Sequence, residues 1–586
     1  MNAFVDYLNS MHSIKGDSMG ALAERQVQLP YSRHCHVPRR LGQIIAGQLR
    51  EGQHRAYIIT GHAGDGKTSI LVQVLRELGM LKSGEALSSD KVCTSAYGKL
   101  YYVKDMSELP SRVRSEYLRR ALNAPGEGMS SVLISNTGPL LASFEDVMRE
   151  DCEKNNSAYE EIRQSVQTML LEQLDTNAKE ECEIGGYGFS MINIARIDNT
   201  SFAATFLDLI LDTELWQDCA ACEKRDKCPI HRNCEMLKAN LDRVKAFVNA
   251  FLRYTYEFDQ HLTIRQIQAQ LCFAITGGLN CRDVVSHRSF SPFKYGFPNL
   301  FFGYLGKDEN TAALKLKAIR MLHDMDLDAV TLPVDYELFV KEQTDFFSSD
   351  VKQLICADIL HPLKALNKRD DMDVKKRNGD MIALRRSMRR YYLLFGDYAQ
   401  HDILDCVFGS GYTLYEEAAS TGGLGKGKLN KIRDYIFNAL YSNNTGFLPR
   451  MNSSDMSVPL TLHRKDGIFQ SVLLVLGCVP KAELKIVQVS KVCTYEDDLT
   501  RQVVTLSVMG NSFPISLPLF LYFVNQSNGA VTPSCAPILT HNIAKLETLL
   551  LSVFKSDESE IELLINTTRG QTRRSMYISD DKVCLG

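Results

Sequence analysis

The sequence predicts an α/β core built on a parallel sheet, a helical region behind it, and a β-rich α+β module at the C-terminal end. Three observations carry that reading. The stretch 57–71, YIITGHAGDGKTSIL, joins a β-branched strand to an apolar helix through a glycine-containing turn. From about 55 to 213, strand-like and helix-like segments alternate, the mark of a parallel sheet covered on both faces. Beyond about 455 the texture changes to short strand-like runs punctuated by Gly, Asn and Asp.

At about 150 residues per domain, 586 residues divide into roughly three or four. The expected divisions are an N-terminal helical segment (1–45), the α/β core (46–215), a cysteine knuckle with a helical lid (216–310), a helical domain with a basic helix (311–450) and a β-rich docking domain (451–586). Hydrophobic residues make up 45% and charged residues 23%, the balance of a folded chain. A net charge of -3 gives no global positive field, so any contact with nucleic acid must come from a local patch. The opening MNAFVDYLNSMHSIKGD has no signal-type pattern. No apolar run approaches the ~18 residues of a membrane helix. A cytoplasmic protein without membrane contact is therefore expected. Sixteen cysteines in so long a chain do not read as a secreted disulfide framework.

The pattern G-x-x-x-x-G-K-[ST] is met by Gly61, Gly66, Lys67 and Thr68, with His62, Ala63, Gly64 and Asp65 inside the loop and Ser69 after it. Glycines permit positive φ and let backbone N–H groups crowd around phosphate oxygens. Lys67 would reach the β- and γ-phosphates, and the Thr68 hydroxyl would ligate Mg²⁺. The helix that follows, TSILVQVLRELG, points its positive end at the same anion. The expected ligand is ATP with Mg²⁺, and the expected core is that of a P-loop NTPase.

Hydrolysis requires a carboxylate for the metal and a group that orients the attacking water. In KLYYVKDMSEL, Leu100 to Val103 form a strand with Asp105 and Glu108 at or just past its end. In SVLISNTGPLL, Val132 to Ser135 form another that ends at Asn136, similar to the polar tip with which additional-strand ATPases sense the γ-phosphate. Asp105 follows Lys67 so closely that a helix, another strand and a crossover barely fit between them. Two arrangements stay open: Asp105 as the metal partner, or Asp105 ending the second strand with Asn136 where the acidic residue usually stands. A further buried strand, Phe189 to Ile194, and the helix SFAATFLDLILD complete the core. The polar helical stretch 153–181 interrupts it.

Next comes CAACEKRDKCPIHRNC. Cys219, Cys222, Cys228 and Cys234, with His231 among them, suit a structural zinc ion held by four ligands on short loops; reduced thiols in a helix-capping turn are the other reading. Two helices follow, and Thr263 is the expected N-cap of LTIRQIQAQLCFAITGG. In a lid, Arg265 at the first turn would reach the γ-phosphate, with Arg282 the weaker choice; surface arginine is the plainer alternative for both.

One basic run stands out, KKRNGDMIALRRSMRRYY. Lys375, Lys376, Arg377, Arg385, Arg386, Arg389 and Arg390 repeat so that several share a helix face. They would track a phosphodiester backbone in a salt-dependent manner, or form a solvated helix that pairs with RDDMD just upstream. STGGLGKGK at 420–428 lacks the spacing of a second phosphate loop and reads as a flexible loop. In the last module SVPLTLHRKDGIFQSVLLVLG, LKIVQVSKV, QVVTLSVMG, FPISLPLFLYFV, EIELLINTT and RSMYISDDKVCL read as strands, and LTHNIAKLETLLLSVF as a helix.

The order GHAGDGKTS, ISNTGPLL, the cysteine knuckle, LTIRQIQ, FPNLFFG and a β-rich tail resembles the ATPase component of bacterial phage-defence and restriction systems. It looks most like the DptF (DndF) family linked to phosphorothioate-dependent restriction, over about residues 40–305. The resemblance implies an ATP-driven subunit that works on DNA beside partner proteins of a defence complex, with oligomerisation left open. The chain departs from a standard motor in lacking a run of apolar residues closed by Asp-Glu, which leaves two functions in play: an ATP hydrolase, or a nucleotide-bound switch that recruits partners.

Overall fold

The computed structural model describes residues 1–12, 29–82, 84–154, 159–287, 289–369, 372–398, 402–449, 457–462, 471–490, 494–530, 536–555, 561–567, 570–579 and 582–585. Some expectations reach beyond them: 13–28 of the N-terminal segment, 155–158 of the polar helical stretch, two positions of RDDMD, 463–470 of the first C-terminal strand-like stretch, end positions of LKIVQVSKV and EIELLINTT, and 580–581 of RSMYISDDKVCL. The chain forms two compact units, Met1–Ile403 with Val492–Leu499, and Leu404–Lys491 with Thr500–Gly586.

The first unit is built on a six-stranded, mostly parallel sheet. Its strands are β1 (Ala56–Thr60), β2 (Asp90–Ser95), β3 (Gly98–Val103), β4 (Ser130–Ile134), β5 (Cys182–Ile184) and β6 (Tyr187–Asn193). Their order across the sheet is β2-β3-β4-β1-β6-β5. β1 pairs in parallel with β4 and β6, and β3 in parallel with β4; β2 and β5 are antiparallel edges. All five residues of β1 are buried, as are all five of β4. Alternation sorts them: Ile58, Tyr101, Val103, Leu133 and Met191 face one cluster, with Leu118, Phe144 and Leu170 from the helices over it. Tyr57, Ile59, Tyr102, Val132, Ile134 and Ile192 face the other, with Leu41, Ile45, Leu71 and Leu75. A one-residue slip of any strand would exchange the two sets, so burial on both faces fixes the register.

The short interval between Lys67 and Asp105 is resolved by a hairpin. β2 and β3 are joined at once, Ser95 opposite Gly98, so the helix Lys67–Glu77 serves as the crossover and no second one is needed before Asp105. β4 lies between β1 and β3, which puts the end carrying Asn136 next to the Gly61 loop and the end carrying Asp105 one strand farther out. The polar helix Tyr159–Thr176 sends Val166, Leu170 and Leu174 into the core.

The second unit combines a five-stranded antiparallel sheet, ordered Lys582–Leu585, Gly570–Ser579, Ile561–Thr567, Val472–Pro480, Ser457–Thr461, with a three-stranded sheet of Lys485–Ser490, Gln502–Val508 and Asn511–Pro514. It begins near 404, ahead of the expected 451. The helix Lys426–Thr445 packs within this unit, where Asn444 Oδ1 accepts the Thr461 N–H at 2.9 Å. FPISLPLFLYFV is only partly a strand. After Pro514 the chain turns into the helix Leu517–Ser527, with a proline in its first turn, where its missing N–H costs nothing.

Candidate functional site

The loop between β1 and the helix Lys67–Glu77 takes the form its glycines allow: φ is 147° at Gly61, 98° at Gly64 and 93° at Gly66. A Cβ on Gly61 would come within 2.8 Å of Ile194. Cβ atoms on Gly64 and Gly66 would meet Thr263 at 3.0 Å and Ile264 at 3.2 Å. Both the sheet and the following helical region therefore exclude side chains from this backbone. His62 and Ala63 are exposed, while Thr68 and Ser69 are half-buried in the first helical turn.

Lys67 is 7% exposed. Its ammonium donates to Gly61 O and His62 O, each at 2.9 Å, and to Asn136 Oδ1 at 3.0 Å. Burial lowers its pKa, and the nearby carboxylates of Asp65 and Asp105 act against that. Asn136 is held in turn, its N–H donating to Ser107 Oγ at 2.6 Å. The Asp105 carboxylate accepts the Ser107 N–H at 2.9 Å and caps a short helical turn. Glu108 is exposed, one turn beyond.

The helix Ile264–Thr276 is seated on the loop. Thr263 is its N-cap, and Gln266 completes the capping box. The Arg265 N–H donates to Gly64 O at 3.1 Å, and its half-buried guanidinium, its pKa lowered by burial, is close enough to depress that of Lys67. Arg282 is exposed on the separate helix Cys281–Ser286. Asp65, 2% exposed, joins the two elements: it accepts the His62 N–H at 2.8 Å and pairs with His261 Nε2 at 2.9 Å. The structure thus gathers Gly61 to Ser69, Asp105, Asn136 and Arg265 around one lysine. Backbone N–H groups at a helix start, an ammonium, a hydroxyl at Thr68 and a carboxylate on the second strand over are the donor set a magnesium–polyphosphate requires.

Several residues of this region carried no sequence signal. A cavity opens beside Gly66 and Ser69, walled by His36, Arg39, Val72, Phe202 and Ile264. The segment RHCHVPRRL, dense in cations and imidazoles just ahead of the helix Arg40–Arg50, is the only hint of it in the sequence. A second is the strap Val492–Leu499, which belongs to this unit although it lies between strands of the other. Tyr495 enters the core, Glu496 accepts the Asp198 N–H at 2.8 Å, and Asp497 takes Arg39 Nε at 2.5 Å and Arg40 N–H at 2.8 Å.

The cysteines do not assemble as the knuckle spacing suggests. Cys219, Cys222 and Cys228 line one small cavity with His231 and Cys281, and Cys234 is fully buried on the helix Pro229–Ala239, its thiol pushed up to about 12 by burial with a smaller contribution from Cys219. Among the described residues, no three His, Cys, Asp or Glu side chains are arranged to hold a metal ion.

The basic run is the helix Val374–Phe395, but its charge is largely spent inside the unit. Arg390, 1% exposed, pairs with Asp328 at 2.5 Å and also donates to Asn299, Gly306 O and Ser387. Arg386 pairs with Asp326 and, at 2.6 Å, with Asp328; Arg389 pairs with Asp335 at 2.6 Å. Arg377 donates to Arg369 O at 2.8 Å. Lys375, Lys376 and Arg385 are exposed. The expected seven-residue phosphodiester track is thus corrected to three exposed cations, because the rest face carboxylates and carbonyls of the same unit. No helix among the described residues is long and apolar enough to cross a membrane. No protein-family model and no curated protein matches the chain.

Proposed function

We propose that the chain is an ATP-binding and ATP-hydrolysing subunit of a bacterial antiphage restriction complex that acts on DNA. The observation that carries the nucleotide reading is the Lys67 ammonium, tethered to Gly61 O, His62 O and Asn136 at the start of a helix. A bound polyphosphate would supply the anion that replaces those carbonyls as acceptors. Thr68 and Asp105 would hold its magnesium ion, Asn136 and Arg265 would face the terminal phosphoryl group, and the helix Ile264–Thr276 would exclude water. The interposed β4 supports a core of the additional-strand type. The restriction context rests on the resemblance stated above.

A second reading has its own support. Asp105 is followed by Met106, and its carboxylate is engaged as a cap, with no second acidic residue beside it. A protein built this way would hold ATP or ADP as a switch and turn it over slowly. Turnover of Mg-ATP by the full chain decides both points. Lys67→Ala is expected to reduce it by on the order of 10²–10³-fold, the effect of removing one electrostatic stabiliser; unchanged turnover would remove the hydrolase reading. Asp105→Asn is expected to cut turnover while leaving magnesium-free ATP binding in place. Tight binding with no product in the unaltered protein would select the switch.

A further inference from the structure

We propose that His261 is a positioning residue that keeps the Asp65 carboxylate off the Lys67 ammonium, so that the loop is charged for an anion only while the helix Ile264–Thr276 is seated on it. This rests on the nucleotide reading of the loop and adds to it a means of control.

The need for such a residue arises in the sequence, where Asp65 and Lys67 stand two positions apart. Both are buried. A buried carboxylate requires a partner, and the nearest opposite charge along the chain is that lysine. A pair between them would neutralise the one cation that the loop offers to a phosphate. The structure avoids it. The ammonium takes Gly61 O, His62 O and Asn136 Oδ1, and no carboxylate is among its partners. Both oxygens of Asp65 are bonded elsewhere: Oδ2 accepts the His62 N–H at 2.8 Å, and Oδ1 meets His261 Nε2 at 2.9 Å. An ionised carboxylate only accepts, so Nε2 is the nitrogen that donates to it.

His261 is carried by the segment that also brings Arg265 to the loop. Its carbonyl accepts Lys317 Nζ at 3.2 Å, the next carbonyl, of Leu262, accepts Asn199 Nδ2 at 3.2 Å, and Thr263 then caps the helix. Two hydrogen bonds join this segment to the loop, His261 to Asp65 and the Arg265 N–H to Gly64 O at 3.1 Å. Lifting the segment breaks both. The freed carboxylate is then left beside His62, whose carbonyl holds Lys67. Behind burial, Asp65 is the largest influence on that ammonium, and an attractive one. Once released it competes with a polyphosphate for Lys67, so seating of the helix and affinity for the anion rise and fall together.

A strut that merely stiffens the loop would make the same bonds, and the two roles part when both partners are removed. The test is calorimetry of the full chain with inorganic tripolyphosphate and with Mg-ATP, beside a denaturation midpoint for each variant. His261→Ala is expected to weaken tripolyphosphate binding on the order of tenfold, as the freed carboxylate engages the ammonium. His261→Gln, whose amide can donate where Nε2 does, is expected to stay within about threefold of the unaltered chain. Adding Asp65→Asn to His261→Ala is expected to recover most of the lost affinity, since no carboxylate remains to reach the lysine. A double variant no better than His261→Ala would overturn the proposal and leave the pair a strut, as would His261→Ala binding like the unaltered chain. Should His261→Ala fold poorly, Asp65→Asn alone decides: it is expected to bind tripolyphosphate more tightly than the unaltered chain, and weaker or equal binding at an unchanged midpoint would overturn the proposal. If the unaltered chain takes up neither tripolyphosphate nor ATP, the loop reading itself fails and His261 has no site to position.

Discussion

Lys67 and Arg390 are both buried cations on helices, and they are buried in opposite ways. Arg390 meets a carboxylate at 2.5 Å and has further acceptors in Asn299, Gly306 O and Ser387. Lys67 meets only neutral oxygens, from two carbonyls and an amide, at 2.9–3.0 Å. A buried guanidinium with a buried carboxylate is a closed account of charge. An ammonium held by carbonyl and amide dipoles has no carboxylate within hydrogen-bond reach and keeps attraction to spare for an anion. The helix with the most positive charge in the sequence is therefore the one with less to offer, and the single lysine of the loop has more.

The sharpest way to break the comparison is to remove each cation. Arg390→Met strands Asp328, itself 1% exposed, with Arg386 as its remaining partner. A loss of about 3–5 kcal/mol is expected, the usual cost of breaking a buried pair from one side, read as a lower denaturation midpoint. Lys67→Ala is expected to leave that midpoint near the unaltered value while abolishing polyphosphate binding. If both variants unfold the unit alike, the distinction between a structural and a poised cation is lost.

The same contrast explains what the sequence could and could not reveal. The loop was legible because its chemistry is local: glycines at positive φ, a lysine and a threonine stand within eight positions, between a fully apolar strand and an amphipathic helix. Thr263 as N-cap was legible for the same reason. The fate of the arginines was not, since Asp326, Asp328 and Asp335 lie some fifty to sixty residues upstream and only the tertiary fold brings them together. RDDMD, adjacent in sequence, looked the nearer partner. The helix Leu517–Ser527 was misread because its apolar run is buried nearly all round, and such a run has no periodicity to separate helix from strand. Cys281, on the wall shared with Cys219, Cys222 and Cys228, is likewise too distant in sequence to be grouped with them.

A smaller effect tests the wall of the cavity. Asp497 binds both the Arg39 side chain and the Arg40 N–H, from a strap that returns to the first unit out of the C-terminal stretch of the chain. Asp497→Ala leaves the buried guanidinium without its carboxylate, and a destabilisation of about 1–3 kcal/mol is expected, the cost of a lost charge-assisted bond. Chemical denaturation of the full chain measures it. No change would mean that the strap does not hold Arg39 in place.

The weakest effect belongs to the exposed end of the basic helix, and it separates two views of that helix. If charge count governed DNA contact, Arg386, Arg389 and Arg390 would matter as much as the others. Because they are paired within the unit, only Lys375, Lys376 and Arg385 remain to displace counterions. Each phosphate neutralised contributes roughly 0.7–0.9 to the slope of log affinity against log salt. Reversing the three exposed cations to Glu is therefore expected to lower that slope by about 2–3 at most, measured by fluorescence anisotropy on duplex DNA across a salt series. Arg389→Gln is expected to leave the slope unchanged while it weakens the fold through Asp335, which loses its partner at 2.6 Å. A slope that responds to Arg389 and ignores Lys375, Lys376 and Arg385 would reverse the assignment, and would require the Arg389–Asp335 pair to open on contact with DNA.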